Sequence, residues 1–168
     1  MQKQQLVAVD TNILLSIAEQ DDLITDALEL LTRRIRAIQL IASHTVLAEL
    51  VFKSKFDANI EFRNLAAKAL RESRAKFRIS PEPLTETQRT ITSAAAKNIL
   101  RANLLPVGEQ NDALVIAESA ILNCILLVSN DSHLLEVDPR RLALMFREMD
   151  LPAPLIVSPR ELIEKFYR

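Results

Sequence analysis

Four acidic residues stand where a carboxylate can do more than solvate a surface: Asp10, Glu49, Asp112 and Asp131. Asp10 and Asp131 follow two short unbroken apolar runs, Leu6-Val7-Ala8-Val9 and Ile125-Leu126-Leu127-Val128. Glu49 and Asp112 fall in or at the start of segments with helical spacing. Taken singly, each has an ordinary role open to it. Asp10 and Asp131 read as helix caps, Asp112 as an acid opposing a helix dipole, and Glu49 as the partner of Lys53 four residues on. Taken together they point elsewhere. In a right-handed parallel sheet the strand ends fall on one edge, so the four acids can converge there. Carboxylates gathered in one pocket repel one another and stay protonated unless a cation holds them. An oxygen-only donor set suits a hard divalent ion, Mg2+ or Mn2+. An ion held in that way activates water and stabilises charge at a phosphodiester.

The elements that must position these acids are legible from pattern. Leu6-Val7-Ala8-Val9 has no alternation, as expected of a parallel strand buried on both faces. It ends in Asp10-Thr11-Asn12 before the helix-like Ile13-Leu14-Leu15, and functional crevices of open α/β sheets lie beyond such strand ends. An amphipathic helix is expected over residues 21–37, with Ile24, Ala27, Leu28, Leu31 and Ile35 inward. Ile38-Gln39-Leu40-Ile41-Ala42 reads as the second strand, Ser43 as an N-cap, and residues 45–56 as the helix that carries Glu49. A helix over residues 59–76 leads to Phe77-Arg78-Ile79, read as a short edge strand before Pro81 and Pro83. Thr85 and Gln88 have capping-box spacing at the head of a helix running to about residue 103, and Asn111 is the expected cap of the next. Ile125 to Val128 is the second buried strand, followed by Ser129-Asn130-Asp131. Leu155-Ile156-Val157 is the last strand, and Ser158-Pro159-Arg160-Glu161 opens the final helix with cap, N1 proline and capping-box glutamate. Strands alternating with helices define a three-layer α/β fold around a mostly parallel sheet of about five strands.

Composition narrows the chemistry further. A chain of 168 residues with 49% hydrophobic and 26% charged residues is the size and make-up of one ordinary globular domain with a real core. Its one glycine, Gly108, excludes a Gly-rich loop of the dinucleotide or P-loop kind. Two histidines and one cysteine cannot build a Cys/His zinc site. Cys124 cannot form an internal disulfide, which fits a reducing cytoplasm. No apolar run approaches the roughly 20 residues of a membrane span, and Met1-Gln2-Lys3-Gln4-Gln5 runs into the first strand without a signal-peptide pattern. The net charge of −1 is not that of a general polyanion binder. The positive charges are nevertheless bunched, with Arg33, Arg34 and Arg36 in one cluster and Arg71, Arg74 and Arg78 at helical spacing in another. Such stripes serve as solvated faces or as nucleic-acid footprints.

The order Val9-Asp10-Thr11-Asn12, then Glu49, then Asn111-Asp112 opening an alanine-rich helix, then Ser129-Asn130-Asp131, resembles the PIN-domain nucleases, among them the VapC-type toxins of bacterial toxin–antitoxin pairs. Val157-Ser158-Pro159-Arg160-Glu161-Leu162 also resembles the end of that family's domain. The resemblance implies a single α/β/α PIN-like domain across residues 1–168, with Asp10, Glu49, Asp112 and Asp131 as a catalytic quartet that binds Mg2+ or Mn2+ and cuts RNA. Thr11, Asn12 and Ser129 match the supporting positions, with Asn12 expected to orient Asp10 by hydrogen bonding. Lys53 and Lys55 are candidate contacts to substrate phosphates. A small antitoxin protein and a homodimer are the partners implied. Two departures stand out: His133 occupies a position where family members often carry a further acid, and the segment from Ser132 to Pro154 is longer than usual. The histidine is expected to be exposed and inert.

Two other functions compete on sequence grounds. A catalytically silent PIN-like module that binds RNA or protein is motivated by His133 and the near-neutral charge, against which all four acids are retained. A haloacid-dehalogenase-like phosphatase would need a second aspartate two residues after Asp10, and Asn12 stands there.

Overall fold

In the computed structural model, which describes residues 4–166, the chain alternates strands and helices from β1 at Gln5–Val9 to α9 at Pro159–Phe166. Residues 1–3, the start of the lead expected to run into the first strand, lie outside the described residues. Between the two ends come α1 (Thr11–Ala18), α2 (Asp22–Arg34), β2 (Ile38–Ala42), α3 (His44–Phe56), α4 (Ile60–Phe77), β3 (Ser80–Pro81) and α5 (Glu86–Arg101). The remainder is α6 (Gln110–Ile121), β4 (Cys124–Val128), α7 (Ser132–Leu135), α8 (Pro139–Glu148) and β5 (Leu155–Val157). The five strands form one sheet in the order β3-β2-β1-β4-β5, every pairing parallel. Helices cover both faces, giving the three-layer α/β/α architecture expected. No described helix is long and apolar enough to cross a membrane.

The strand order explains where a site can form. The chain winds outward in one direction from β1 to β3 and in the other from β4 to β5, so it reverses between β1 and β4. A crevice opens beyond the carboxyl ends of the strands at such a point. Val7, Ala8 and Val9 are buried, as are Leu40, Ile41, Leu127 and Val128 on the neighbouring strands. Burial on both faces is why these runs lack alternation. Pairing of Val9 with Val128 and of Val128 with Val157 brings the three strand ends level. The ladder continues one step past the strands, with Asp10 N donating to Val128 O at 3.0 Å and Ser129 N to Val157 O at 3.1 Å.

Several local expectations are corrected. The edge strand lies at Ser80–Pro81, because Phe77 completes α4 and Arg78 turns the chain out of it in the left-handed region at φ 54°. Pro81 is tolerated there because an edge strand needs no outward donor. Ser43 occupies the N-cap position of α3 but its side chain makes no cap bond. The buried Glu118 of α6 does that work from a distance, accepting from Thr45 N at 3.0 Å and from Thr45 Oγ1 at 2.8 Å. Helix α6 starts two residues early, with Glu109 rather than Asn111 at the N-cap and no side-chain cap bond. The capping boxes at Thr85–Gln88 and Ser158–Glu161 form as expected.

Candidate functional site

Asp10 sits at the reversal point, nearly buried at the end of β1, and its carboxylate is tightly dressed. Oδ1 accepts from Thr11 N at 2.7 Å, while Oδ2 accepts from Asn12 Nδ2 at 2.9 Å and from Ser129 Oγ at 2.8 Å. Asn12 therefore orients Asp10 as expected, and its Oδ1 also accepts from Asn130 N at 3.1 Å, tying β1 to the loop after β4. Ser129, fully buried, is the hub: besides its bond to Asp10 it accepts from Asp131 N at 2.9 Å. Asp131 in turn caps α7 by accepting from His133 N at 2.8 Å.

Glu49 arrives from α3. Thr11 Oγ1 donates to its Oε2 at 2.6 Å, and Lys53 Nζ approaches its Oε1 at 2.6 Å one helical turn on. Asp112, in the first turn of α6, completes the set without accepting a hydrogen bond from any described residue. Asp10, Thr11, Asn12, Glu49, Lys53, Asp112 and Asp131 line one pocket of about 150 Å3. All four acids singled out in the sequence thus meet. Lys53 lines the pocket as well, whereas Lys55 is exposed on α3 and does not.

The electrostatics are those of crowded anions. Burial, and then the neighbouring Asp131, Asp10 and Glu109, push the Asp112 carboxyl up to about 7 from an ordinary 3.8. Burial also raises Asp10, with Glu49 and Asp131 adding to it, although the hydrogen bonds from Ser129 and Thr11 pull the other way.

Glu109 was not anticipated from the sequence. His133, expected to be exposed and inert, is half-buried and faces it, with Nδ1 at 3.3 Å from Glu109 Oε1 and 3.9 Å from Asp131 Oδ1. Glu109, Asp112 and His133 are the three potential ligands among the described residues whose donor atoms lie within 4.8 Å of one another. The only sequence cue to Glu109 is its place just before Asn111-Asp112, since its partner comes from a distant helix.

The donor set is compatible with a divalent ion. Carboxylate oxygens dominate the pocket, and Lys53 is the one cation among its described lining residues. Their mutual repulsion is the kind that a hard cation relieves. Mg2+ keeps several of its waters and needs only one or two direct carboxylates, so the acids need not all touch it.

An all-parallel α/β/α sheet with an acidic pocket at its reversal point defines a class of carboxylate-lined domains. The model of the PIN domain family matches residues 7–139, most of the chain, and the protein belongs to the PIN-domain family. Similar folds occur in VapBC2 from Rickettsia felis bound to a DNA fragment from their promoter, at 17% identity and TM-score 0.62, covering 92% of this chain and 98% of that one. VapBC-1 from nontypeable Haemophilus influenzae is similar at 15% identity and TM-score 0.60, covering 93% and 99%. FitAcB from Neisseria gonorrhoeae is similar at 17% identity and TM-score 0.54, covering 91% and 97%. No curated protein sequence matches the chain significantly.

Proposed function

We propose that this PIN-domain protein is a nuclease, a Mg2+- or Mn2+-dependent endoribonuclease that hydrolyses RNA phosphodiester bonds as the toxin of a toxin–antitoxin pair. The observation that carries the reading is the meeting of Asp10, Glu49, Asp112 and Asp131 in one pocket from four separate stretches of sequence. Asp10, Asp112 and Asp131, with Glu49 beside them, would hold the ion. Bound there, it would acidify water and stabilise charge developing on a phosphate. The protein's part is orientation. Ser129 and Asn12 fix Asp10, the Ser129 hydroxyl ties Asp10 to the start of α7, and Thr11 with Lys53 holds Glu49 at the rim. Such positioning is worth orders of magnitude in rate when the reacting groups are held in line.

The resemblance to VapC-type toxins supports a small antitoxin partner, as does the fold shared with proteins solved as VapBC and FitAcB. The same resemblance supports a cytoplasmic homodimer of one domain per chain. The test is a Mn2+ and Mg2+ titration of the wild type and Asp112→Asn while cleavage of a mixed single-stranded RNA is followed. Asp112 accepts no hydrogen bond from any described residue, so this change removes charge and leaves that bonding intact. Metal-dependent cutting that the variant abolishes supports the nuclease. RNA binding indifferent to EDTA, with no cutting at any metal concentration, would leave the silent binding module in its place.

A further inference from the structure

The two arginine clusters noted in the sequence, separate along the chain, meet in the fold. Helix α2 ends at Arg34, and Ala37, at φ 55°, turns the chain into β2, leaving Arg36 just ahead of that strand. Helix α4 ends at Phe77, and Arg78, at φ 54°, turns the chain into β3. Since β2 and β3 are adjacent and parallel, Arg36 and Arg78 are delivered to the same amino edge of the sheet. There β3 pairs only Ile41 and Ala42, so the outer edge of Ile38 to Leu40 has no neighbouring strand. The gap is a cavity of about 650 Å3 lined by Arg33, Arg36, Arg78, Gln39, Phe77 and Ser80 among others.

None of the described lining residues is acidic. Arg33 pairs at 2.9 Å with Glu29, which lies outside the lining and is itself partly exposed. Among the described residues neither Arg36 nor Arg78 pairs with a carboxylate. Basic side chains at helix C-termini offset the helix dipole, which accounts for the sign of the charge at the end of α2. It does not account for two helices directing arginines into one acid-free cavity on a chain of net charge −1.

We infer that this cavity is an RNA-binding exosite, where Arg36 and Arg78 with Arg33 grip backbone phosphates of a single strand whose cleavage occurs elsewhere. The inference rests on RNA being the substrate. Guanidinium forks match phosphate bidentately, and Phe77 offers an apolar wall of the kind on which bases stack. In metal-free protein, four carboxylates against the lining lysine repel a polyanion, so affinity for RNA there has to come from another surface. The two sites lie at opposite ends of the strands, about 16 Å apart along a five-residue strand at about 3.3 Å per residue, within reach of one strand of RNA. An acidic peptide laid along the open edge of β2 is the competing occupant, and it would make no use of Phe77.

The test is binding of a fluorescein-labelled single-stranded RNA, followed by anisotropy in EDTA across a range of salt. Working without metal separates it from the nuclease reading, because binding is read whether or not the protein cuts. Arg36→Gln/Arg78→Gln, both at exposed positions, should weaken binding about tenfold or more. It should also lower the slope of log affinity against log salt by about 1.4, at roughly 0.7 for each phosphate no longer neutralised. Arg36→Lys/Arg78→Lys should keep the salt slope and recover only part of the affinity. A control, Arg89→Gln/Arg101→Gln on α5, should change neither. Wild-type affinity and slope in the first variant, or an equal loss in the control, would overturn the inference. So would tighter binding of a polyglutamate peptide that displaces the RNA and is itself lost in the same variant.

Discussion

Ser129→Ala is the sharpest probe of how the pocket is held. The hydroxyl uses its whole capacity, donating to Asp10 Oδ2 at 2.8 Å and accepting from Asp131 N at 2.9 Å and Asn12 Nδ2 at 3.3 Å. Alanine fits the space but removes a charge-assisted bond and leaves the Asp131 amide without its partner. A bond to a charged group is worth about 1.5–3 kcal/mol, and the part-buried Asp131 amide left without its partner adds about 1. Asn12 still reaches Asp10, so part of the loss is recovered. The expected destabilisation is about 3 kcal/mol, or about 6–12 °C in Tm for a chain of this length. Because the same hydroxyl links Asp10 to Asp131, cleavage should fall about 10- to 100-fold. Urea denaturation in EDTA reads the first quantity and Mn2+-dependent RNA cleavage the second. Ser129→Thr keeps the hydroxyl and should recover most of the rate, although its extra methyl in a site without exposure costs about 1–3 kcal/mol. A destabilisation below about 0.5 kcal/mol, or an alanine variant with an unchanged cleavage rate, would show that the network does not position the acids.

Other consequences can be checked with equal directness. In metal-free protein the Asp112 carboxyl is raised in the folded state from 3.8 to about 7, so the folded chain holds its proton more tightly than the unfolded one. Stability should therefore fall as pH rises from about 4 to about 7 and level off above, by about 1–2 kcal/mol once solvent screening of a half-exposed group is allowed for. Asp112→Asn should flatten this dependence in thermal melts run with EDTA, and an unchanged pH profile would contradict it. Thr11→Val keeps the branched shape but frees Glu49 from its 2.6 Å bond, and should lower cleavage about tenfold while costing about 1 kcal/mol, read by parallel kinetics and melts. Glu118→Ala removes the cap of α3 and should cost about 2 kcal/mol in urea titration. Cys124 is buried, with its thiol pushed up to about 12, so a thiol reagent should modify it only as fast as the chain unfolds.

What the sequence made legible follows from how locally each feature is determined. β1 and β4 are readable because both faces are buried, so every position along Val7-Ala8-Val9 and Leu127-Val128 is apolar. The two capping boxes are readable because donor and acceptor lie three residues apart. The edge strand was displaced by a few residues because a two-residue strand has no pattern of its own, and the left-handed turn that precedes it falls on an arginine. Ser43 and Asn111 are natural caps by residue type, but Ser43 makes no cap bond and Asn111 lies inside α6. Glu118 serves α3 from across the fold, and Glu109 takes the N-cap position of α6 without a side-chain cap bond and faces His133. Contacts of that kind are set by tertiary packing and leave no spacing to read.

The cap and ligand readings of the two strand-end aspartates are not rivals, because a carboxylate has more acceptor capacity than a cap consumes. An ionised aspartate offers about four lone-pair sites. Asp10 spends one on Thr11 N and two on Asn12 and Ser129, which leaves one. Asp131 spends Oδ1 on His133 N, and its Oδ2 accepts from no described residue. Each cap bond fixes the side chain's direction and leaves capacity turned to the pocket. Strand-end position, helix capping and a shared pocket thus belong to one arrangement, in which the loop after each buried strand turns directly into a helix and its first carboxylate is held where the sheet reverses. Asp112 accepts no such bond from any described residue and its carboxyl is raised to about 7, so a cation would relieve charge there that the described hydrogen bonds do not.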